Sequence, residues 1–173
     1  MDNFKTISVA EFKLSPFMAI GDDWMLINTK NDEKVNSMTA SWGGLGVLWS
    51  HDASFIFVRD SRYTAELLQK EQTYSLSFLD HAKYAKDLSY LGTKSGRDAD
   101  KLANTSLTID YVLYTPIIKE ANYNLICKIM TAQPLELANI RDPKVIEEYY
   151  PEGGYHRFYA GEILKVLKNN LCD

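Results

Sequence analysis

Strand-like runs dominate the pattern of apolar and polar positions along this chain. Runs rich in β-branched and aromatic residues predict strands at 24–29, 35–42, 54–59, 73–78, 107–113, 117–131 and 155–166, with charges or turn residues between them. Helical spacing appears at 62–69, where Tyr63, Leu67 and Leu68 share a side, and again at 82–91, 99–103 and 143–149. The helices are short, and the last strands follow one another without the long crossover that a parallel wrap needs. The expected fold is therefore mainly β, a closed, mostly antiparallel barrel with short helices packed outside. Pro116 and Pro134 bracket the longest run, where strand ends are expected.

Residues 36–46, N-S-M-T-A-S-W-G-G-L-G, depart from an ordinary half-buried strand. Met38, Ala40 and Trp42 fall on one face and Ser37, Thr39 and Ser41 on the other, and Gly43, Gly44 and Gly46 follow at once. Such a stretch is either an exposed strand face leading into a tight turn or a strand against which something planar and polar lies.

The totals narrow the classes. A chain of 173 residues is one domain, 1–173, long enough to bury a core without disulfides or structural metal. Its net charge of −4 disfavours nucleic acid or an anionic membrane as the main partner, so a bound anion needs a local basic cluster. Cys127 lies in an apolar run and Cys172 at the C-terminus; they form no disulfide framework, and no Cys/His spacing points to a metal. The first residues lack the pattern of a signal peptide and no run reaches the ~20 apolar residues of a membrane span, so a cytoplasmic protein is expected.

Two basic segments can carry chemistry. In F-I-F-V-R-D-S-R-Y-T-A-E-L-L a strand ends at Arg59 and a helix starts within three residues, with Asp60 or Ser61 expected as its N-cap. Unpaired N–H groups and the dipole at such a start favour an anion, here flanked by Arg59, Arg62 and the hydroxyls of Ser61 and Thr64. The alternative is a capped helix with two surface arginines, and Asp60 would oppose a phosphate unless it turns away. In L-G-T-K-S-G-R-D (91–98), Lys94, Ser95 and Arg97 supply donors between Gly92 and Gly96, without the order of a Walker loop. Gly44-Leu45-Gly46 lacks the rest of a dinucleotide fingerprint. His51 and His81 read as solvated. His156 heads the last strand at a partly exposed position, and neither the histidines nor Asp22-Asp23 and Glu147-Glu148 form a catalytic set.

Four segments, N-S-M-T-A-S-W-G-G (36–44), V-R-D-S-R-Y-T (58–64), G-T-K-S-G-R-D (92–98) and H-R-F-Y-A-G-E-I (156–163), together resemble the flavin reductase-like family of FMN-binding split barrels, in its flavoredoxin-type form. The resemblance spans nearly the whole chain and implies an FMN-binding flavoprotein that takes hydride or electrons, with NAD(P)H as donor. It places Asn36, Met38, Thr39, Ala40, Ser41 and Trp42 along the flavin, and Arg59, Ser61, Arg62, Tyr63 and Thr64 at its phosphate. Lys94 and Ser95 would close over the phosphate or ribityl side. His156, the one candidate catalytic residue, would line the open ring face and change charge near neutral pH. FMN is expected rather than FAD, since no second site for adenosine is evident. The resemblance also implies a homodimer. Two other readings stay open: an electron carrier served by a redox protein partner, and a flavin-binding sensor.

Overall fold

The computed structural model describes residues 3–32, 34–97 and 99–171; Asp98 and Cys172 lie outside them. Among the described residues ten strands form: β1 (Phe4–Ile7), β2 (Met25–Lys30), β3 (Val35–Ala40), β4 (Gly43–Leu48), β5 (His51–Arg59), β6 (Thr73–Phe78), β7 (Ile109–Val112), β8 (Thr115–Ile118), β9 (Tyr123–Pro134) and β10 (His156–Asn169). Three α-helices, α1 (Tyr63–Leu68), α2 (His81–Thr93) and α3 (Pro143–Tyr149), lie outside the sheet. The main sheet runs β3-β2-β6-β9-β10-β5-β4, with β1 added to β10, and every pair is antiparallel.

The expectation of a mainly β, antiparallel chain with outer helices holds, but the barrel is not closed. β3 and β4 are joined by only Ser41 and Trp42, yet they occupy opposite ends of the hydrogen-bonded path and do not pair. The glycines after Trp42 do not form a turn; they belong to β4, and the turn falls at Trp49-Ser50, both left-handed (φ 50° and 62°). The run at 117–131 also divides. A turn at 119–122 separates β8 from β9, and β8 forms its own hairpin with β7. At 99–103 only a 3-10 turn, Leu102–Asn104, is present.

β2 shows why the core has two compartments. Its residues are buried on both faces: Met25 and Ile27 meet Ile56, Leu76, Leu125 and Tyr159 inside the sheet, while Leu26 meets α2 outside. The buried stripe of α2, Tyr84, Leu88 and Leu91, follows helical spacing, and Asp80 caps the helix by accepting from Lys83 N at 3.3 Å. That docking carries the end of α2 and its following loop up to β3, where Thr39 Oγ1 donates to Leu88 O.

The buried hydroxyls and amides are mostly paired. Asn28 Nδ2 donates to Ser75 Oγ (3.0 Å) and Ser77 Oγ (2.8 Å), Ser37 Oγ donates to Asn28 Oδ1 (2.6 Å), and Ser77 Oγ donates to Asn124 Oδ1 (2.5 Å). Ser37 is thus a core residue. Deeper in the sheet Ser54 Oγ lies 2.7 Å from Tyr74 Oη and 3.2 Å from Cys127 Sγ, and burial pushes the Cys127 thiol up to about 12, where it is inert at neutral pH. Tyr74 fits because position 161 is glycine: a Cβ there would stand 2.5 Å from its hydroxyl. Gly161→Ala is expected to destabilise the protein by about 1–3 kcal/mol through overpacking, and urea unfolding checks this. An unchanged midpoint contradicts it.

Candidate functional site

Two concavities meet where the sheet fails to close. The first, about 240 Å³, is bounded by β3 and the Ser41-Trp42 link on one side and by the ends of β5 and β10 on the other. Met38, Thr39, Ala40, Ser41, Trp42, Arg59 and His156 all line it, together with Phe57, Arg62 and Gly92. The second, about 250 Å³, lies between the start of α1 and the loop after α2, and takes in Asn36, Ser61, Tyr63, Thr64, Lys94 and Ser95. Met38 and Arg62 line both, so the two are parts of one groove.

The first part has planar walls. The His156 ring lies 4.7 Å from that of Trp42, and Tyr149 meets Trp42 edge-on at 5.2 Å. His156 is buried, against the partly exposed position that alternation predicts, because the segment after α3 folds Tyr150 over it. Its Nδ1 is 2.8 Å from Tyr150 Oη. Desolvation and, secondarily, the Arg59 charge hold its imidazole down at about 4, so it is neutral at pH 7 rather than titrating there. Arg59 itself reaches sideways, its Nη2 donating to Tyr149 O at 2.8 Å, and does not line the second part. Of the hydroxyls of β3 and the link after it, only Ser41 is exposed; Thr39 is held by α2. What β3 offers the groove is mainly its unpaired backbone edge.

The second part is cationic. Arg62, Lys94, Arg97 and Lys101 line it, and among the described residues no carboxylate does. Arg62, not Asp60 or Ser61, occupies the N-cap position of α1, its Nη2 donating to Gly92 O and its Nε lying 3.4 Å from Met38 Sδ. Asp60 turns away to pair with Arg157 (3.0 Å), which removes its conflict with an anion. Burial, then Arg59, lowers the Arg62 pKa. Lys101, missed in the sequence, is the deepest cation. It is buried, donates to Leu91 O at 3.0 Å, and is drawn down to about 8 by desolvation and by Arg62. Helical spacing at 99–103 gives no sign of its role; only the fold brings it against the end of α2.

One buried acceptor stands ready. Asn36, 3% exposed, donates from Nδ2 to Thr64 Oγ1 (2.9 Å), while its Oδ1 has no partner. That oxygen faces Gly96, where a Cβ would collide with it. Because the Thr64 hydroxyl can donate or accept, turning the amide over keeps that bond and presents an N–H instead. Tyr63 lies between Lys34 (5.0 Å) and Arg97 (5.7 Å), both over its ring. A planar slot joined to a cation cluster, with Lys101 buried at its base, suits a flat polar ring carrying a phosphate: the donors fit a dianion, and the orphaned amide adds a polar contact. No group of metal-ligating side chains occurs among the described residues.

The family model described as flavin reductase like domain matches residues 19–171. No curated protein matches the sequence. Among solved structures, a flavoredoxin from Methanosarcina acetivorans superposes with a TM-score of 0.66 at 23% identity, covering 85% of this chain and 68% of its own. An FMN-binding protein from Thermus thermophilus with bound p-hydroxybenzaldehyde gives 0.66 at 19% (85% and 71%). An NADH:FAD oxidoreductase from Streptomyces globisporus gives 0.64 at 17% (87% and 77%). At these identities the likeness is one of fold.

The buried lysine makes a sign-specific prediction. An anion favours protonated Lys101, whose pKa in the apoprotein is about 8, so anion affinity should fall as pH rises through about 8. Calorimetric titration of apoprotein with sulfate, whose charge is constant over this range, at pH 7 and pH 9.5 tests this, and Lys101→Gln should flatten the difference. Equal affinity of the wild type at both values would contradict it.

Proposed function

Because the chain belongs to the flavin reductase-like domain family, we propose that it is an FMN-binding flavoprotein that uses NAD(P)H to reduce its flavin. The observation that carries this reading is the single groove, aromatic at one end and cationic at the other, joined through Met38 and Arg62. Bound FMN supplies the hydride- and electron-accepting chemistry. The residues of this chain hold and bias it. Asn36, Ser61, Arg62, Tyr63, Thr64, Lys94, Ser95 and Lys101 grip the phosphate and ribityl end, and Met38, Thr39, Ala40, Ser41 and Trp42 run beside the ring.

In this reading the N–H groups of the β3 edge face the side of the ring where reduction gathers negative charge, and Arg62 adds a positive field. Arg59 serves the ring end indirectly, fastening the end of α3 through the Tyr149 carbonyl. His156 stands at the open face as a neutral imidazole. Tyr150 holds its Nδ1, which leaves Nε2 without a hydrogen-bond partner among the described residues and able to contact a nicotinamide. A homodimer belongs to the same proposal: β4 is a glycine-rich edge strand, paired only with β5 among the described residues, and its Val47 (69% exposed) and the adjoining Trp49 (65%) stand in solvent. So does a cytoplasmic location, where reduced nicotinamide is supplied; no described helix is long and apolar enough to cross a membrane.

Two outcomes are expected. Arg62→Ala should weaken FMN binding about ten- to hundredfold, as loss of a charge-assisted bond to phosphate implies; fluorescence titration of apoprotein measures it, and unchanged affinity would demote the cationic end. His156→Ala, saturated with FMN, should slow anaerobic reduction by NADH or NADPH about two- to tenfold, the worth of one ordinary hydrogen bond. The wild-type rate should show no His156 titration between pH 6 and 8. Equal rates in stopped flow remove His156 from the mechanism, and no reduction of the wild type by either nicotinamide makes the protein an electron carrier.

A further inference from the structure

The connector between β9 and β10 returns to the aromatic end of the groove. α3 finishes at Tyr149, and Tyr150 closes its last turn, donating from its backbone N to Ile146 O at 2.9 Å. The Tyr150 side chain is held from several sides. The Tyr155 ring lies 5.0 Å away, the Arg59 guanidinium sits over its face at 5.7 Å, and the residue is buried. His156 is fixed as firmly. Its backbone pairs with Arg59 of β5, its carbonyl accepts from Leu135 N at 2.8 Å, and its ring meets those of Trp42 and Tyr150. Between these two anchored residues runs one hydrogen bond, joining Tyr150 Oη and His156 Nδ1 at 2.8 Å.

The direction of that bond follows from what else the two groups can reach. A neutral imidazole has one N–H donor and one bare nitrogen acceptor, and a phenol has one proton to give. Desolvation and the Arg59 charge outweigh Asp60 and keep His156 neutral, while burial keeps Tyr150 protonated. Were the imidazole proton on Nδ1, the phenol would accept it and its own proton would need another acceptor. Among the described residues the Tyr150 hydroxyl has no hydrogen-bond partner but His156. A buried O–H without an acceptor is unfavourable, whereas a phenol donating to Nδ1 leaves neither group of the pair unmet. The single imidazole proton then lies on Nε2, on a ring that lines the groove. Resting on the flavin reading above, we infer that Tyr150 is a positioning residue: it holds His156 in the tautomer protonated on Nε2, so that the groove offers a hydrogen-bond donor to the carboxamide oxygen of a nicotinamide. Without the phenol proton the ring is free to carry its own on either nitrogen. In those molecules that carry it on Nδ1, Nε2 is a bare acceptor that repels the same oxygen.

Nitrogen-15 NMR of protein labelled at histidine reads the tautomer, because protonated and bare ring nitrogens have well-separated shifts. The His156 signals are those missing from His156→Ala. At pH 7 the wild type should carry its His156 proton on Nε2 alone. Tyr150→Phe, which keeps the ring and removes the phenol proton, should show both tautomers. Saturated with FMN, that variant should be reduced by the nicotinamide donor about twofold more slowly than wild type, as loss of the donor in about half of the molecules implies. Because Tyr150 acts through His156, the double variant should be no slower than His156→Ala alone. A wild-type proton on Nδ1, or an unchanged tautomer in Tyr150→Phe, overturns the inference while leaving the flavin reading intact. So does a double variant slower than His156→Ala, which would give Tyr150 a role of its own. If Tyr150→Phe does not fold, the wild-type spectrum decides by itself. No reduction of the wild type by either nicotinamide overturns the reading above and the use given to the donor, while the spectra still decide what Tyr150 does to His156.

Discussion

The structure turns on a junction of two residues. Ser41 and Trp42 take the chain from one edge of the sheet to the other, and nothing pairs across the gap they span. Closing the barrel would bond β3 to β4 and fill the space now lined by Met38, Trp42 and His156. Leaving it open exposes two strand edges, and proteins tolerate such edges only when they are short, hidden or used. Here β3 is six residues long and gives on to a cavity, while β4 is flattened by glycine. The packing behind the split, with β2 buried on both faces, holds the edge of β3 rigidly at the groove.

Charge follows the same geometry. An acidic chain gathers Arg62, Lys94, Arg97 and Lys101 around one hollow, and buries the last of them against the Leu91 carbonyl. A buried ammonium with no counter-charge among the described residues is costly, and its pKa is displaced accordingly. The orphaned Asn36 oxygen adds a second unmet demand within the same walls. Two unfavourable features at one place are most simply explained by a ligand that relieves both. Asp60, by leaving for Arg157, keeps the hollow positive.

Much of this was legible in advance, for reasons that differ by residue. Alternation located β6 to the residue and β2, β3 and β5 closely, because each is half or fully buried and rich in branched side chains. β4 was illegible: G-G-L-G-V-L carries turn residues, and only its pairing with β5 makes it a strand. The left-handed pairs Trp49-Ser50 and Leu113-Tyr114 were hidden for the opposite reason, since neither carries the glycine or asparagine that announces such a turn. At the site, local signals at Arg62, Lys94 and Ser95 led to the groove, whereas Lys101 and the sideways reach of Arg59 depend on contacts far away in sequence. His156 was placed correctly in the chain and wrongly in environment, because the residue that buries it, Tyr150, comes from the long connector before it.

That one ligand spans both ends of the groove is best tested by amide hydrogen exchange with and without FMN. Exchange should slow together in residues 36–42 and 93–97 when FMN is added, whereas inorganic phosphate alone should slow only 93–97. Protection by FMN confined to other segments, or absent from both, would contradict a flavin lying along β3 with its phosphate among the cations.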